Sequence, residues 1–304
     1  MAGKAVIQTI SVEEEFRKNP EMQQKDLDSL REWVKKQPHL PDVPELQLIL
    51  FLHSCLYSIE FAKRTIENYY TIRTHVPEFF SQRDPLLPAM KHISEMLTIV
   101  ILPEPLKGGG RVVYMKLHNT NPAKWNLVDS VKYFMFVKDI ALQQIGTSGT
   151  GHVGVMDLEG VQLGHMTKLG IITLKKIITY VQDAMPTKLK AVHFVNPGPF
   201  MDMLFNMAKP FMHADLLALV HIHGQGMDSF YEHVEKRMLP KELGGEAPSF
   251  EVLRRQTMDQ VIAYRDYLLN EEKLRVVEAK RMGPQQNAGN LFGVEGSFKK
   301  LDID

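Results

Sequence analysis

Leu189-Lys190-Ala191-Val192-His193-Phe194-Val195-Asn196 runs directly into Pro197-Gly198-Pro199-Phe200-Met201-Asp202-Met203-Leu204-Phe205-Asn206-Met207-Ala208-Lys209-Pro210-Phe211. The first eight residues read as a strand. Beyond the Pro-Gly-Pro break, Phe200, Met203, Leu204, Met207 and Phe211 recur on one helical face, and Met201 and Phe205 widen it. A strand that turns into an apolar helix is the repeating unit of an α/β domain. Periodicity alone favours a plain core helix over Phe200–Phe211. The bracketing prolines and glycine suit a hinged element.

The same alternation extends both ways. Upstream, Arg111–Leu117 reads as a strand, Trp125–Leu142 as an amphipathic helix and Gly146–Gly151 as a turn. Val153, Val155 and Asp157 then alternate with His152, Gly154 and Met156, which is strand parity. A long helix is expected over Met166–Ala184, and a further apolar β-like run over Leu216–His223. Strands alternating with helices predict an α/β fold with a mixed, largely parallel sheet.

The first part of the chain is helical instead. Ser11-Val12-Glu13-Glu14 offers a capping box. Leu27, Leu30, Trp33 and Val34 keep helical spacing. Helices are expected over Glu45–Cys55 and from a Ser58 cap to Arg73, with breaks at Pro77 and Asp84-Pro85. After Pro240–Gly245 a charged helix is expected over Met258–Met282, then a Gly-rich polar tail. Three parts follow: 1–85, an N-terminal helical domain; 86–253, the sheet domain; 254–304, a C-terminal helix and tail.

Composition narrows the function. Lys plus Arg equals Asp plus Glu at 36 each, so bulk attraction to nucleic acid is not expected. Met1–Ser11 lacks the apolar core of a signal peptide, and apolar runs stay below the roughly 18 residues that span a bilayer. A soluble, cytoplasmic protein is expected. The single cysteine, Cys55, excludes an internal disulfide and reads as an inert buried thiol. Seventeen methionines suit irregular, adaptable apolar surfaces, though ordinary core filling explains them better.

Signals for bond chemistry are weak. His221 and His223 share a strand face, with His193 or His213 as possible third ligands, but no metal-site spacing exists and no metal is expected. There is no Gly-x-Ser-x-Gly elbow and no cysteine dyad. Asp157 and Glu159 sit where a strand ends, where carboxylates usually cap loop amides. Gly108–Gly110 lacks the Gly-Lys-Ser/Thr ending of a phosphate loop, and no GxGxxG joins a strand to a helix. No catalytic residue and no cofactor are expected, and the protein is expected not to be an enzyme.

Ordered motifs over about Asp26–Leu253 resemble the CRAL-TRIO lipid-transfer family. They are Leu50-Phe51-Leu52 with Tyr57–Glu60 and Asn68-Tyr69-Tyr70, then Pro77–Phe80, Gly110–Val113 and Val155–Gly160. The most specific follow in order: Met185-Pro186, Val192–Asn196, Lys209-Pro210-Phe211, His221–Gly224, Leu239-Pro240 and Gly244-Gly245. The chain most resembles insect relatives of alpha-tocopherol transfer protein and cellular retinaldehyde-binding protein. The resemblance implies an N-terminal helical bundle before a CRAL-TRIO lipid-binding domain. There, one sheet face and a gating helix, about Gly198–Leu219, enclose a hydrophobic ligand. It maps ligand-lining positions onto Val131, Phe134, Lys138, His152, Met156, Tyr180, Val181, Val192, Phe194, Leu204, Phe205 and Met212. The helix pattern adds Phe200, Met207 and Phe211.

The implied activity is binding and transfer of a tocopherol, retinoid, carotenoid or other isoprenoid, or phospholipid. The gate would open transiently at a membrane surface. The alternative is a lipid-sensing module whose loading controls a protein partner, with the tail after Gly283 as its surface. Two departures stand out. Of the family's basic headgroup patch only Lys188 and Lys190 remain. Asp215, Leu217 and Leu219, and Leu50, His53 and Cys55, occupy its other positions. Phosphoinositide dependence is therefore expected to be weak or absent. Lys138 also places a charge inside an apolar lining: either it snorkels to water or pairs with a carboxylate, or with His152 or Tyr180 it reads a polar ligand end.

Overall fold

The structure is a computed structural model, described for residues 7–224 and 226–293. Helices α1 (Val12–Lys18), α2 (Gln24–Lys35), α3 (Glu45–Ser54), α4 (Ile59–His75), α5 (Pro77–Phe80) and α6 (Pro88–Met96) come first. Ser11 caps α1 through the full capping box, and Ser58 caps α4 by accepting from the Phe61 amide. Then follow β1 (Leu97–Ile101), β2 (Val112–Leu117), α7 (Leu127–Ile145), β3 (His152–Asp157), α8 (Leu163–Met166), α9 (Ile171–Asp183) and β4 (Leu189–Val195). The chain continues through α10 (Met201–Ala208), α11 (Ala214–Ala218), β5 (Val220–Ile222), α12 (Asp228–Tyr231), α13 (Phe250–Ala263), α14 (Arg265–Glu271) and α15 (Ala288–Phe292).

The five strands lie in order β1-β2-β3-β4-β5. β1 is antiparallel to β2, and the rest are parallel. The α/β class with its mixed, mostly parallel sheet is therefore as the alternation predicts. Side chains alternate across the pleat, so the two faces separate cleanly. Val112, Tyr114, Val153, Val155, Ala191 and Val195 form one core with Phe230, Val234, Leu239 and Phe250. On the other face Leu97, Ile99 and Leu117 pack under α6 and α7 through Met90, Ile93, Tyr133 and Phe136.

The N-terminal helices do not form a separate core. Leu27, Phe51, Ile66, Tyr69 and Phe80 share one cluster with Val131 and Met135 of α7, Tyr180 of α9 and Phe292 of α15.

Four expectations need correction. Leu216–Leu219 is helix and turn, so the apolar run contributes only the short strand β5. The strand β1, before Pro103, stands outside those expectations. The helix over Met166–Ala184 is broken at Leu169-Gly170. The C-terminal helix starts at Phe250 rather than Met258 and breaks at Tyr264, whose hydroxyl bonds both backbone groups of Gln8. It ends at Glu271, because Val276 and Arg275 are drawn onto Thr74 and the Phe80 carbonyl. Cys55 is half-buried, not fully buried, with Thr65 Oγ1 at 3.3 Å from its sulfur. The tail wraps the surface as far as Phe292, and residues 294–304 lie outside the described residues.

Candidate functional site

Register assembles an apolar surface from four strands. Val113, Gly154, Val192 and Val220 form one cross-strand row, and Met115, Met156, Phe194 and Ile222 form the next. The helices α6 and α7 cover the β1 end of this face. Toward β5 the cover thins: His152, Met156, Val192 and Val220 are half-buried and Ile222 is exposed. Such an apolar sheet face costs free energy in water, at roughly 25 cal/mol per Å².

The segment α10–α11 carries matching apolar side chains that find no tight core. Met201 and Ala208 are buried. Leu204, Phe205, Met207, Phe211, Met212, Leu216, Leu217 and Leu219, with Phe200 before them, are only half-buried. An ordinary core helix would bury this stripe. The segment is held at its ends instead. Phe200, Met201 and Leu204 close on Leu158, Val161 and Met166, leaving only about 10 Å³. Gln182 of α9 donates to the Phe211 carbonyl at 3.1 Å and accepts the His213 amide at 2.9 Å. At the far end Val192 donates to the Leu219 carbonyl at 2.8 Å.

Among the other residues singled out by sequence, Val131 and Lys138 of α7 are buried and Phe134 is half-buried. Val181 is half-buried on α9, whereas Tyr180 is fully buried. Phe194 is nearly buried, at 8% exposure. Burial first, then His53, Arg111 and Lys18, pushes His152 down to about 4, so its ring is neutral at pH 7. Its Nδ1 accepts the Arg111 amide at 3.2 Å. The proton therefore sits on Nε2, which is left as a donor.

Lys188 and Lys190 part company. Lys190 is exposed, but Lys188 Nζ donates to the Gly149 carbonyl at 2.7 Å. His53 lies within the field of Lys188, and burial together with that lysine holds its pKa below the ordinary value. Glu21 shares the same neighbourhood.

The histidines cluster without a metal geometry. His193 Nδ1 is 2.8 Å from His223 Nε2, and His223 Nδ1 is 2.8 Å from Ser229 Oγ. His221 and His233 stack on His193 at 4.9 and 4.8 Å. His213 is elsewhere, beside Asp183. Among the described residues no three His, Cys, Asp or Glu side chains are grouped to hold a metal ion.

Sequence patterns missed a buried ionic cluster. Arg73 donates to both oxygens of Asp139 and to Glu271, and Arg83 donates to Asp139 at 2.7 Å. Tyr69, Phe80 and Tyr180 surround the Arg73 guanidinium at 4.3, 4.6 and 5.7 Å. Charged residues inside otherwise apolar helical stripes, Arg73 after Tyr69-Tyr70 and Lys138-Asp139 in α7, were the available signal.

A separate pocket of about 230 Å³ opens between α7, the end of β1 and α13, lined by Ile101, Val137, Ile140, Gln144, Leu253 and Thr257 among others. It lies away from α10 and α11.

Residues 96–245 match the CRAL/TRIO domain family, and residues 19–90 match the Pinta-like UBA domain family. The chain carries a CRAL-TRIO domain. Members of this family bind and transfer lipids. Alpha-tocopherol transfer protein-like of Homo sapiens is 28% identical over 236 residues, 77% of this chain and 68% of the relative. Clavesin-2 of Homo sapiens is 20% identical over 240 residues, 78% of this chain and 73% of the relative. The crystal structure of Sfh5 superposes with a TM-score of 0.51 at 13% identity, covering 87% of this chain and 99% of that one, which speaks to the fold alone. In this CRAL-TRIO chain no helix among the described residues is long and apolar enough to cross a membrane.

Proposed function

We propose that this protein is a soluble intracellular carrier that binds one hydrophobic small molecule between the β2–β5 sheet face and the α10–α11 lid, and transfers it without bond chemistry. The observation that carries this reading is the half-buried apolar stripe from Phe200 to Leu219, set in a chain that carries a CRAL-TRIO domain. A lid that is apolar on the side facing an apolar sheet gains most when a lipid fills the space between them. The lining consists of Val131, Phe134, Lys138, His152, Met156, Val181, Val192 and Phe194, with Tyr180 behind them. The lid supplies Phe200, Leu204, Phe205, Met207, Phe211 and Met212.

Exposed apolar residues near the lid, Leu163, Ile171, Ile172 and Met203, supply membrane contact while it opens. The relatives' name brings tocopherol forward as one ligand; a retinoid, another isoprenoid or a phospholipid fits the same chemistry.

The test is to purify the protein, extract it with organic solvent, identify what is released by mass spectrometry, and follow that molecule between donor and acceptor vesicles. Stoichiometric release and protein-dependent transfer are expected. An empty protein that transfers none of the four lipid classes removes the reading.

A further inference from the structure

The buried cluster joining α4, α7, α9 and α14 does not balance its charge. Arg73 and Arg83 are 0% exposed and Lys138 is 9% exposed, while Asp139 and Glu271 are each 2% exposed. Three cations therefore face two carboxylates, which leaves one positive charge over. Next outward, Glu272 accepts the Gln82 and Arg83 backbone amides, and Lys132 lies in the field of Asp129, Glu272 and Glu78. Arg275 lies 3.7 Å from Glu271 and reaches the rim, adding to the excess rather than cancelling it. Uncompensated charge in a low-dielectric interior is costly, so such a surplus calls for a counter-ion.

Hydrogen bonding shows the same imbalance. Tyr180 Oη accepts from Arg73 Nε at 3.2 Å, from Arg73 Nη2 at 3.0 Å and from Lys138 Nζ at 3.4 Å. Its own proton has no acceptor among the described residues. Lys138 Nζ lies 2.8 Å from Asp139 Oδ1, but that carboxylate also takes Arg73 and Arg83. Arg83 Nε stands 3.1 Å from Glu271 Oε2 without hydrogen-bond alignment, which leaves both atoms unpartnered, and Arg83 Nη1 has no partner either. The site holds more donors than acceptors.

Lys138 is the one cationic member of the central five with exposed surface. Phe134, one helical turn before it, is half-buried on the same side of α7, and Val181 adjoins Tyr180 on α9. The geometry points to an anionic ligand end at this place: a carboxylate on the hydrophobic ligand, held by Lys138 Nζ with the Tyr180 hydroxyl as the second donor. This inference rests on the carrier reading and deepens it, because it names the polar group of the ligand. One surplus charge matches a singly charged carboxylate better than a phosphate monoester, which carries nearly two.

The test compares oleate with oleyl alcohol, equal in chain length and differing only in the end group, in equilibrium binding to the full chain and to Lys138→Met and Lys138→Arg. The wild type is expected to prefer oleate by about tenfold or more, the scale of a hydrogen bond to a charged group. Lys138→Arg should keep that preference, and Lys138→Met should reduce it to about twofold or less, since only the tyrosine donor remains. Equal binding of oleate and oleyl alcohol by the wild type overturns the inference while leaving the carrier reading intact, as does tighter binding of dioleoyl phosphatidate than of oleate. If neither oleyl ligand binds and the extracted protein also carries no lipid, the carrier reading itself has failed. Should Lys138→Met fail to fold, the wild-type comparison and Lys138→Arg still decide.

Discussion

At the scale of single residues, Asp139 is the carboxylate on which the buried ionic cluster converges. It accepts from Arg73 and Arg83 and sits beside Lys138, and it is almost wholly buried. Burial alone would raise its pKa, but the three cations outweigh burial and hold the carboxyl far below the usual range. Its charge is therefore present at every physiological pH. Replacing it leaves three buried cations facing Glu271 alone. Asp139→Asn is expected to destabilise the protein by about 3–5 kcal/mol, the cost of breaking a buried ion pair from one side. Urea denaturation measures this; a loss below about 1 kcal/mol would mean that the cluster is solvated. Lys138 was visible in the sequence as a charge within an apolar stripe. Its partners Arg73, Arg83 and Glu271 were not, because they lie 55–133 positions away and no local pattern links them.

At the scale of elements, β4 and β5 are joined by more than backbone bonds. β5 has three residues, and it directly follows the α10–α11 lid. His193, His221, His223 and His233 gather on the face of the sheet away from the lid. Burial first, then His233, His223 and His221, pushes His193 down to about 3, and burial lowers His223 as well, with Glu232 opposing. Unfolded histidine titrates near 6.5. The neutral rings therefore contribute stability that is complete above about pH 6.5 and is lost as pH falls toward about 3. The expected outcome is a protein whose stability declines on acidification through this window, with His193→Gln flattening the slope by up to about 1.4 kcal/mol per pH unit. Denaturant midpoints measured from pH 7.5 to 4.5 decide; an unchanged slope in His193→Gln shows that other groups carry the dependence.

The lid illustrates how element-level reading can mislead. The period of Phe200–Phe211 announced an apolar helix, and the helix is there, over Met201–Ala208 with a tight turn to Phe211. The same period says nothing about what the apolar face meets. Half-burial of nearly every large apolar side chain along it sets this segment apart from a core helix. Leu216–Leu219 went the other way. Its apolar residues suit a strand locally, yet a helical turn and its own cap bonds hold it, and pairing with β4 begins only at Val220.

At the scale of the whole molecule, the N-terminal helices, the sheet domain and the C-terminal strap share cores and ion pairs. Tyr264 holds Gln8, Arg275 reaches Phe80, and Phe292 packs against α9. This assembly also sets the electrostatics of the surface around Lys188. That lysine is tied to Gly149, with Glu21 and His53 nearby, and Lys190 is left as the exposed basic residue of the pair. Phosphoinositide in acceptor vesicles is accordingly expected to change transfer by no more than about fivefold, the contribution of a single surface lysine. Transfer assays with and without phosphatidylinositol bisphosphate test it, and a larger stimulation would show a headgroup site that these residues do not explain.

Alternation of strand and helix and the capped N-terminal helices determined the fold class from sequence, because each is a local pattern that backbone geometry reads directly, and the ordered motifs from Leu50 to Gly245 added the family resemblance. Strand parity also put His152 and Met156 on one face of their strand, while the register that sets Val192 and Phe194 beside them came from the tertiary structure. The tertiary structure alone decided what lies opposite that face, and which distant charges surround Lys138. Both depend on side chains brought together across long stretches of chain, where burial turns a single unmatched charge into a demand for a partner.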